Sequence, residues 1–292
     1  MKIFAQDLGF PEAPVLLPDN SLLCVEMDAE KGHTLHLSPD GTSRKVIAKT
    51  GRPNGLARDR DGNIWVVETA MRALLKLTMD GKYEVVATAC GDEKFLFLND
   101  VAVGPNGDIF FTDSGISLET MSDGPGGFNP DYRNLPYDGR VYRADPASGE
   151  VERIDNGIKF TNGIAFGPDG HLYANETMSG NIFRYKCTDG RVTGGRETFG
   201  NVIEHFNPED LKGPDGMKFG ADGHLYVCVF GQGDVTVLDR LGKVANRIKT
   251  EGNMPTNLCF GRDGERKIYV TEVESGTIQI HDVDTDGLPL HG

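Results

Sequence analysis

One pattern occurs six times in the 292 residues, and it constrains the fold more than any other feature of the chain. The copies are PEAPVLLPDNSLLCVE from Pro11, RPNGLARDRDGNIWVVE from Arg52, LNDVAVGPNGDIFFTD from Leu98, TNGIAFGPDGHLYANE from Thr161, PDGMKFGADGHLYVCV from Pro214 and PTNLCFGRDGERKIYVTE from Pro255. Each has a polar front, an alternating strand, a turn and a second strand rich in β-formers. The second turn residues are Asn20, Gly62, Gly107, Gly170, Gly223 and Gly264, in steps of 42, 45, 63, 53 and 41 residues. Most copies are followed by a second hairpin, such as LLKLTMDGKYEVVA or GDVTVLDRLGKVANRIK. Four antiparallel strands in a repeat of about 40 to 50 residues form a β-propeller blade.

The sixth copy ends with GTIQIHDV, a third strand with no fourth after it. KIFAQDL, at residues 2–8, can fill that place and close the ring, leaving no edge strand to aggregate. An open sandwich has no need of six copies in one register. The expected architecture is therefore all-β: one six-bladed propeller domain over residues 1–292, closed by its N-terminal strand.

Composition narrows the function. The 38 glycines and 15 prolines punctuate turns instead of forming one tract. A net charge of -14 without a basic stripe argues against nucleic acid or an anionic membrane surface as partner. No apolar run is long enough to span a bilayer, and MKIFAQDLGFPEAP lacks a signal-peptide core, so a cytoplasmic chain beginning near Met1 is expected. The five cysteines are scattered without C-x-x-C spacing and are expected as free thiols. His33 and His36 are the only close histidine pair, which makes a histidine metal site a poor expectation.

Eight residues before each second turn residue stand Glu12, Asn54, Asn99, Asn162, Asp215 and Thr256. Inner strands of a propeller line its channel and all run the same way, so these six positions should ring one mouth. Asn and Asp also begin strands for purely local reasons. Glu12, however, is a poor turn former, and buried carboxylates need compensating charge that no Lys or Arg in this register supplies. Glu12 and Asp215, with the amide oxygens of Asn162 and Asn99, make an oxygen-rich set suited to a hard divalent cation. Calcium is the first expectation, with magnesium, manganese, zinc or iron(II) as the other candidates.

The same mouth should carry the ends of the second strands. Glu26, Glu68, Asp113 and Glu176 fall there, and Glu26 and Glu176 are candidates for steadying the ligands. Residues 114–138 form the longest connection of this kind, and Phe128, Tyr132, Leu135 and Tyr137 suggest a lid.

FPEAPVLLPDNSLLCVE, LNDVAVGPNGDIFFTD, FTNGIAFGPDG and GPDGMKFGADGHLYVCVFGQGDVTVLDRLGK together resemble the senescence marker protein/gluconolactonase family, which includes regucalcin and bacterial sugar lactonases. The resemblance runs over nearly the whole chain. It implies a propeller whose divalent metal is held by Glu12, Asn162 and Asp215, with Asn99 on the substrate side or as a fourth ligand. It also implies hydrolysis of a sugar-type lactone to its hydroxy acid, with Asp215 as ligand and general base and with Asn99 and Asn54 orienting the ring. Relatives with phosphotriesterase-like activity use a similar floor, and a non-catalytic calcium-binding propeller is a further alternative. One departure stands out: where some members place an arginine two residues before the third-front asparagine, this chain has Phe97. Arg133 and Arg140, in the segment YRNLPYDGRVYRAD that is similar to bacterial gluconolactonases, are the candidate replacements.

Overall fold

Each of the six copies folds as the inner hairpin of a four-stranded antiparallel sheet, in a computed structural model that describes residues 1–124, 127–207 and 210–292. Blade one runs Pro11–Leu16, Leu22–Glu26, His33–Leu37 and Arg44–Lys49, and the others repeat that order outward from the axis. In blade six the outermost strand is Lys2–Ala5, paired antiparallel with Thr277–Asp282, so the two ends of the chain close the ring as expected. Inner strands pack on their neighbours around the full circle, the one at Pro255–Phe260 meeting the one at Pro11–Leu16.

The turns explain the punctuation. All six second turn residues have φ between 71° and 89°, a left-handed conformation that glycine tolerates freely and asparagine better than most. Each sheet then buries both faces against neighbouring blades. This is why a second strand such as Ile64–Glu68, IWVVE, reads as a continuous apolar run instead of an alternating one. Six apolar clusters sit at the six blade–blade contacts, for example Val25 and Met27 with Val66 and Leu75 between blades one and two. Cys24, Cys228 and Cys259 are buried in these layers as free thiols, while Cys90 and Cys187 are half-buried.

A seventh cluster lies apart from the blade contacts. Phe97, Ile116, Met121, Phe160 and Met178 are buried together, with Leu118, Tyr132, Leu135 and Tyr137 packed on them. It is formed largely by the 114–138 connection, which contains a short helix, Leu118–Met121, and a 3-10 turn, Tyr132–Asn134. The side chain of Phe128 lies outside the described residues. No helix among the described residues is long and apolar enough to cross a membrane.

Candidate functional site

Glu12, Asn54, Asn99, Asn162, Asp215 and Thr256 all line one cavity of about 580 Å³ at the axis. A larger cavity of about 800 Å³ opens at the other end of the same inner strands, around Leu17, Val103 and Phe166, and includes none of the six. Chemistry, not size, therefore selects the site.

A bulge in every inner strand shapes this floor. Register shifts fall at Glu12/Val15, Pro53/Leu56, Leu98/Val101, Thr161/Ile164, Pro214/Met217 and Pro255/Leu258, always around the front residue. A bulge breaks the two-residue alternation, so the residue after each front also turns inward, toward the next blade. Asp100 thus accepts from the Ile164 N–H at 3.2 Å, and the Asn257 Nδ2 donates to Glu12 Oε2 at 3.0 Å. Where the neighbour comes closer still, the position is glycine: a Cβ on Gly163 would stand 2.3 Å from the Asp215 carbonyl oxygen.

The three front asparagines are anchored by their amino groups. Asn99 Nδ2 donates to Ser114 Oγ at 3.2 Å, Asn162 Nδ2 to Thr177 Oγ1 at 3.3 Å and Asn54 Nδ2 to the Leu98 carbonyl at 3.4 Å. Ser114 and Thr177 pass the contact on to the next blade, donating to the carbonyls of Thr161 and Pro214. The amino group of Asn162 also serves the Asp215 carboxylate. Asn162 Oδ1 is buried and has no hydrogen-bond partner. Thr256, by contrast, is fully engaged, donating to the Pro11 carbonyl at 2.8 Å.

The carboxylate fronts are treated differently. Seven residues after the turn, where blades two, three and four carry Thr69, Ser114 and Thr177, blades one and five carry Met27 and Phe230. Glu12 is 3% exposed; its recorded hydrogen bonds come from Asn257 and from the Ala13 N–H. Asp215 is half-buried, its exposure being to the cavity. Burial, then the charges of Asp215 and Asp100, push the Glu12 carboxyl well above its ordinary range. Burial and Asp100 do the same to Asp215, against hydrogen bonds from Asn162 and the Gly216 N–H. Among the described residues the ion pair formed by these acids is that of Asp100 with Lys218, at 4.0 Å. Two crowded carboxylates and an orphaned amide oxygen fit a hard divalent cation, which accepts oxygen ligands only. Among the described residues no group of three or more His, Cys, Asp or Glu is placed to hold a metal, so the fit depends on the amide oxygens.

Several expectations need correction. Glu26 and Glu176 do not steady the ligands: Glu26 accepts from the Gly9 N–H, Lys31 and His33, and Glu176 from the Lys159 N–H at 2.6 Å. Together with Glu68, Asp113 and Glu272 they fasten the entering chain to the end of the second strand in every blade but the fifth, which has Val229 there. Asp113 is completely buried and accepts from Leu96, Phe97 and Gly115 N–H groups at 2.7, 3.0 and 2.8 Å. Asp113→Ala should therefore lower stability by about 3–5 kcal/mol in urea unfolding, since three buried N–H groups lose their acceptor.

Arg133 and Arg140 do not replace the absent arginine. Arg133 donates to the carbonyls of Met178 and Asp210, its guanidinium 5.3 Å from the Tyr132 ring, and Arg140 pairs with Asp138 and Glu93, each at 3.1 Å. The cationic side chain at the cavity is Arg52, two residues before Asn54. Comparing the repeats at that offset would have revealed it, because Phe97 stands two residues before Asn99.

Residues 10–274 match the model of the SMP-30/Gluconolactonase/LRE-like region. The chain is 25% identical to a gluconolactonase of Zymomonas mobilis over 283 residues, covering 91% of this chain and 77% of that one. It is 24% identical to a diisopropyl-fluorophosphatase of Loligo vulgaris, covering 94% and 88%. At 26% identity it spans 58% of a strictosidine synthase-like protein of Arabidopsis thaliana. Among solved structures, a gluconolactonase from Xanthomonas campestris superposes with a TM-score of 0.78 at 22% identity, covering 98% of this chain and 89% of that one. A calcium-binding protein, regucalcin, from Agrobacterium tumefaciens does so with 0.78 at 18% identity, covering 100% and 99%.

Proposed function

Because the chain belongs to the SMP-30/gluconolactonase/LRE-like family, we propose that its axial cavity is the active site of a divalent-cation-dependent lactonase, opening a lactone to its hydroxy acid. The observation that carries this reading is the pair Glu12 and Asp215, the first buried and the second open only to the cavity, neither with an ion pair among the described residues, beside the unpartnered Asn162 Oδ1. Those three residues would hold the metal, with Asn99 as a further oxygen donor. When bound, the cation supplies Lewis acidity toward a substrate carbonyl. Calcium is the first candidate, because oxygen-only donors suit it and a regucalcin of the same fold is described as calcium-binding.

The chain's own residues supply the rest. Asp215 takes the proton of the attacking water on a carboxylate oxygen. As the water oxygen bonds to the acyl carbon, the ring C–O bond breaks and the departing oxygen receives a proton, giving a free hydroxy acid. Asn54 and Asn99, each fixed to a neighbouring group through its amino end, line the cavity and orient the ring. Leu118, Met121 and Ser122 of the 114–138 segment complete the cavity wall, and we assign that segment the role of a lid within one propeller domain.

The diisopropyl-fluorophosphatase relative supports a second reading, in which Asp215 attacks phosphorus as a nucleophile, the ester's leaving group departs and water then frees the carboxylate. A proton-release assay on lactones and phosphotriesters, after chelation and re-addition of single cations, tests both. Lactone opening that disappears on chelation and returns with a divalent cation is expected. Undiminished turnover in chelator would refute the cation's role, and phosphotriester cleavage alone would favour the second reading.

A further inference from the structure

The positions two residues before the first four fronts are Phe10, Arg52, Phe97 and Phe160, and all four line the cavity above its polar floor. Phe97 and Phe160 meet edge to face, with centroids 5.7 Å apart, and Met121 and Met178 are buried in the same cluster. A substrate clothed in hydroxyl groups would lose water against such a wall without finding partners, which costs about 1–3 kcal/mol per unpaired group. An apolar arm would instead gain from burial there.

Arg52 stands alone against this wall. Its Nε is buried and unpartnered, and its guanidinium makes no ion pair or hydrogen bond among the described residues. The nearby acids are occupied elsewhere: Glu68 accepts the backbone N–H groups of Arg52 and Met71, and Asp28 accepts the Glu30 N–H. Asp28 and Glu30 at the rim are exposed, so water and salt screen their repulsion. The guanidinium carbon lies 5.8 Å from the Phe10 ring centroid, which holds the planar group against an aromatic face. Burial lowers its proton affinity, partly offset by Asp28 and Glu68, as for a cation that lacks a close partner.

We propose that the site selects a lactone bearing an apolar, ring-sized arm and a carboxylate, the arm lying on Phe97, Phe160 and Met178 and the carboxylate held by the Arg52 guanidinium. A planar fork with free donors matches a carboxylate's two oxygens, and a lysine in its place would not. The inference rests on the lactonase reading and specifies its substrate class.

The test uses the full-length, cation-loaded protein and three lactones: D-glucono-δ-lactone, γ-phenyl-γ-butyrolactone and γ-phenylparaconic acid, which adds a carboxylate to the second. Ring opening is followed chromatographically. The order of kcat/KM should rise along that series. Arg52→Ala should lower kcat/KM about 10- to 100-fold for γ-phenylparaconic acid, mainly through KM, and leave the uncharged phenyl lactone within a few-fold. Arg52→Lys should restore only part of the loss. The inference is overturned by a preference for gluconolactone, or by an Arg52→Ala loss shared equally by all three substrates. Failure of the wild-type protein to open any lactone defeats the lactonase reading itself, and this inference with it.

Discussion

Asp215→Asn should reduce kcat/KM for lactone opening by about 10²–10⁴-fold and, in metal-free buffer at neutral pH, raise the melting temperature instead of lowering it. The two effects come from one fact. Burial raises the proton affinity of both Glu12 and Asp215, Asp215 adds to that of Glu12, and the charge of Asp100 acts on both. Making one of them a neutral amide removes a proton acceptor and a cation ligand, and so removes chemistry. It also removes repulsion, at about 1.4 kcal/mol for each pKa unit of elevation that is relieved. A higher melting temperature follows. An asparagine variant that is both active and less stable would show Asp215 to be an ordinary strand-end acid.

Stability against pH gives the second large effect. Both carboxyls are raised in the folded protein, while the unfolded chain titrates near 4. Below that range each is protonated in both states, and the full stability is present. As pH rises, the unfolded chain releases its protons first, so metal-free protein loses stability until the folded values are passed. Asp40 and Asp80 act in the opposite sense. Held at about 2 by the Ser38 hydroxyl and Lys82 respectively, they contribute stability that is lost only as pH falls through that value. The comparison that isolates the site is therefore wild type against Glu12→Gln/Asp215→Asn, melted in chelator from pH 4 to 8. Wild type should fall relative to the double variant as pH rises. Saturating cation should reverse that trend, since a ligand at about a thousand times its Kd adds about 4 kcal/mol. Parallel curves in chelator would contradict the assignment.

The ring itself was legible because a propeller repeats its instructions. Six turns in one register and a sixth blade lacking a strand left little else for Lys2–Ala5 to do. Comparing copies at a single offset also gathered the six fronts. What escaped was whatever a strand's two-residue period hides. Asp100 and Asn257 follow fronts and should face away from them; only the bulges bring them to Ile164 and Glu12. The acids Glu26 and Glu176 were misread for another reason. A carboxylate near a cavity and one that fastens a backbone N–H look identical in sequence, and only the loop geometry separates them. Arg52 and the contrast between Met27 or Phe230 and Ser114 or Thr177 are legible in the sequence, at offsets of two residues before the front and seven after the turn. Their meaning is chemical: Asn99 and Asn162 are each given a hydroxyl to orient them, and the carboxylate fronts Glu12 and Asp215 are left without one.

The account depends on a cation that draws together side chains more than two hundred residues apart. Calorimetric titration of chelator-treated protein with calcium, and separately with magnesium, manganese and zinc, measures that directly. One tight site per chain is expected for at least one of these ions, absent from Glu12→Gln/Asp215→Asn and weakened in Asn162→Ala. Binding that survives the double substitution unchanged, or no binding by the wild-type chain to any of the four, would contradict it.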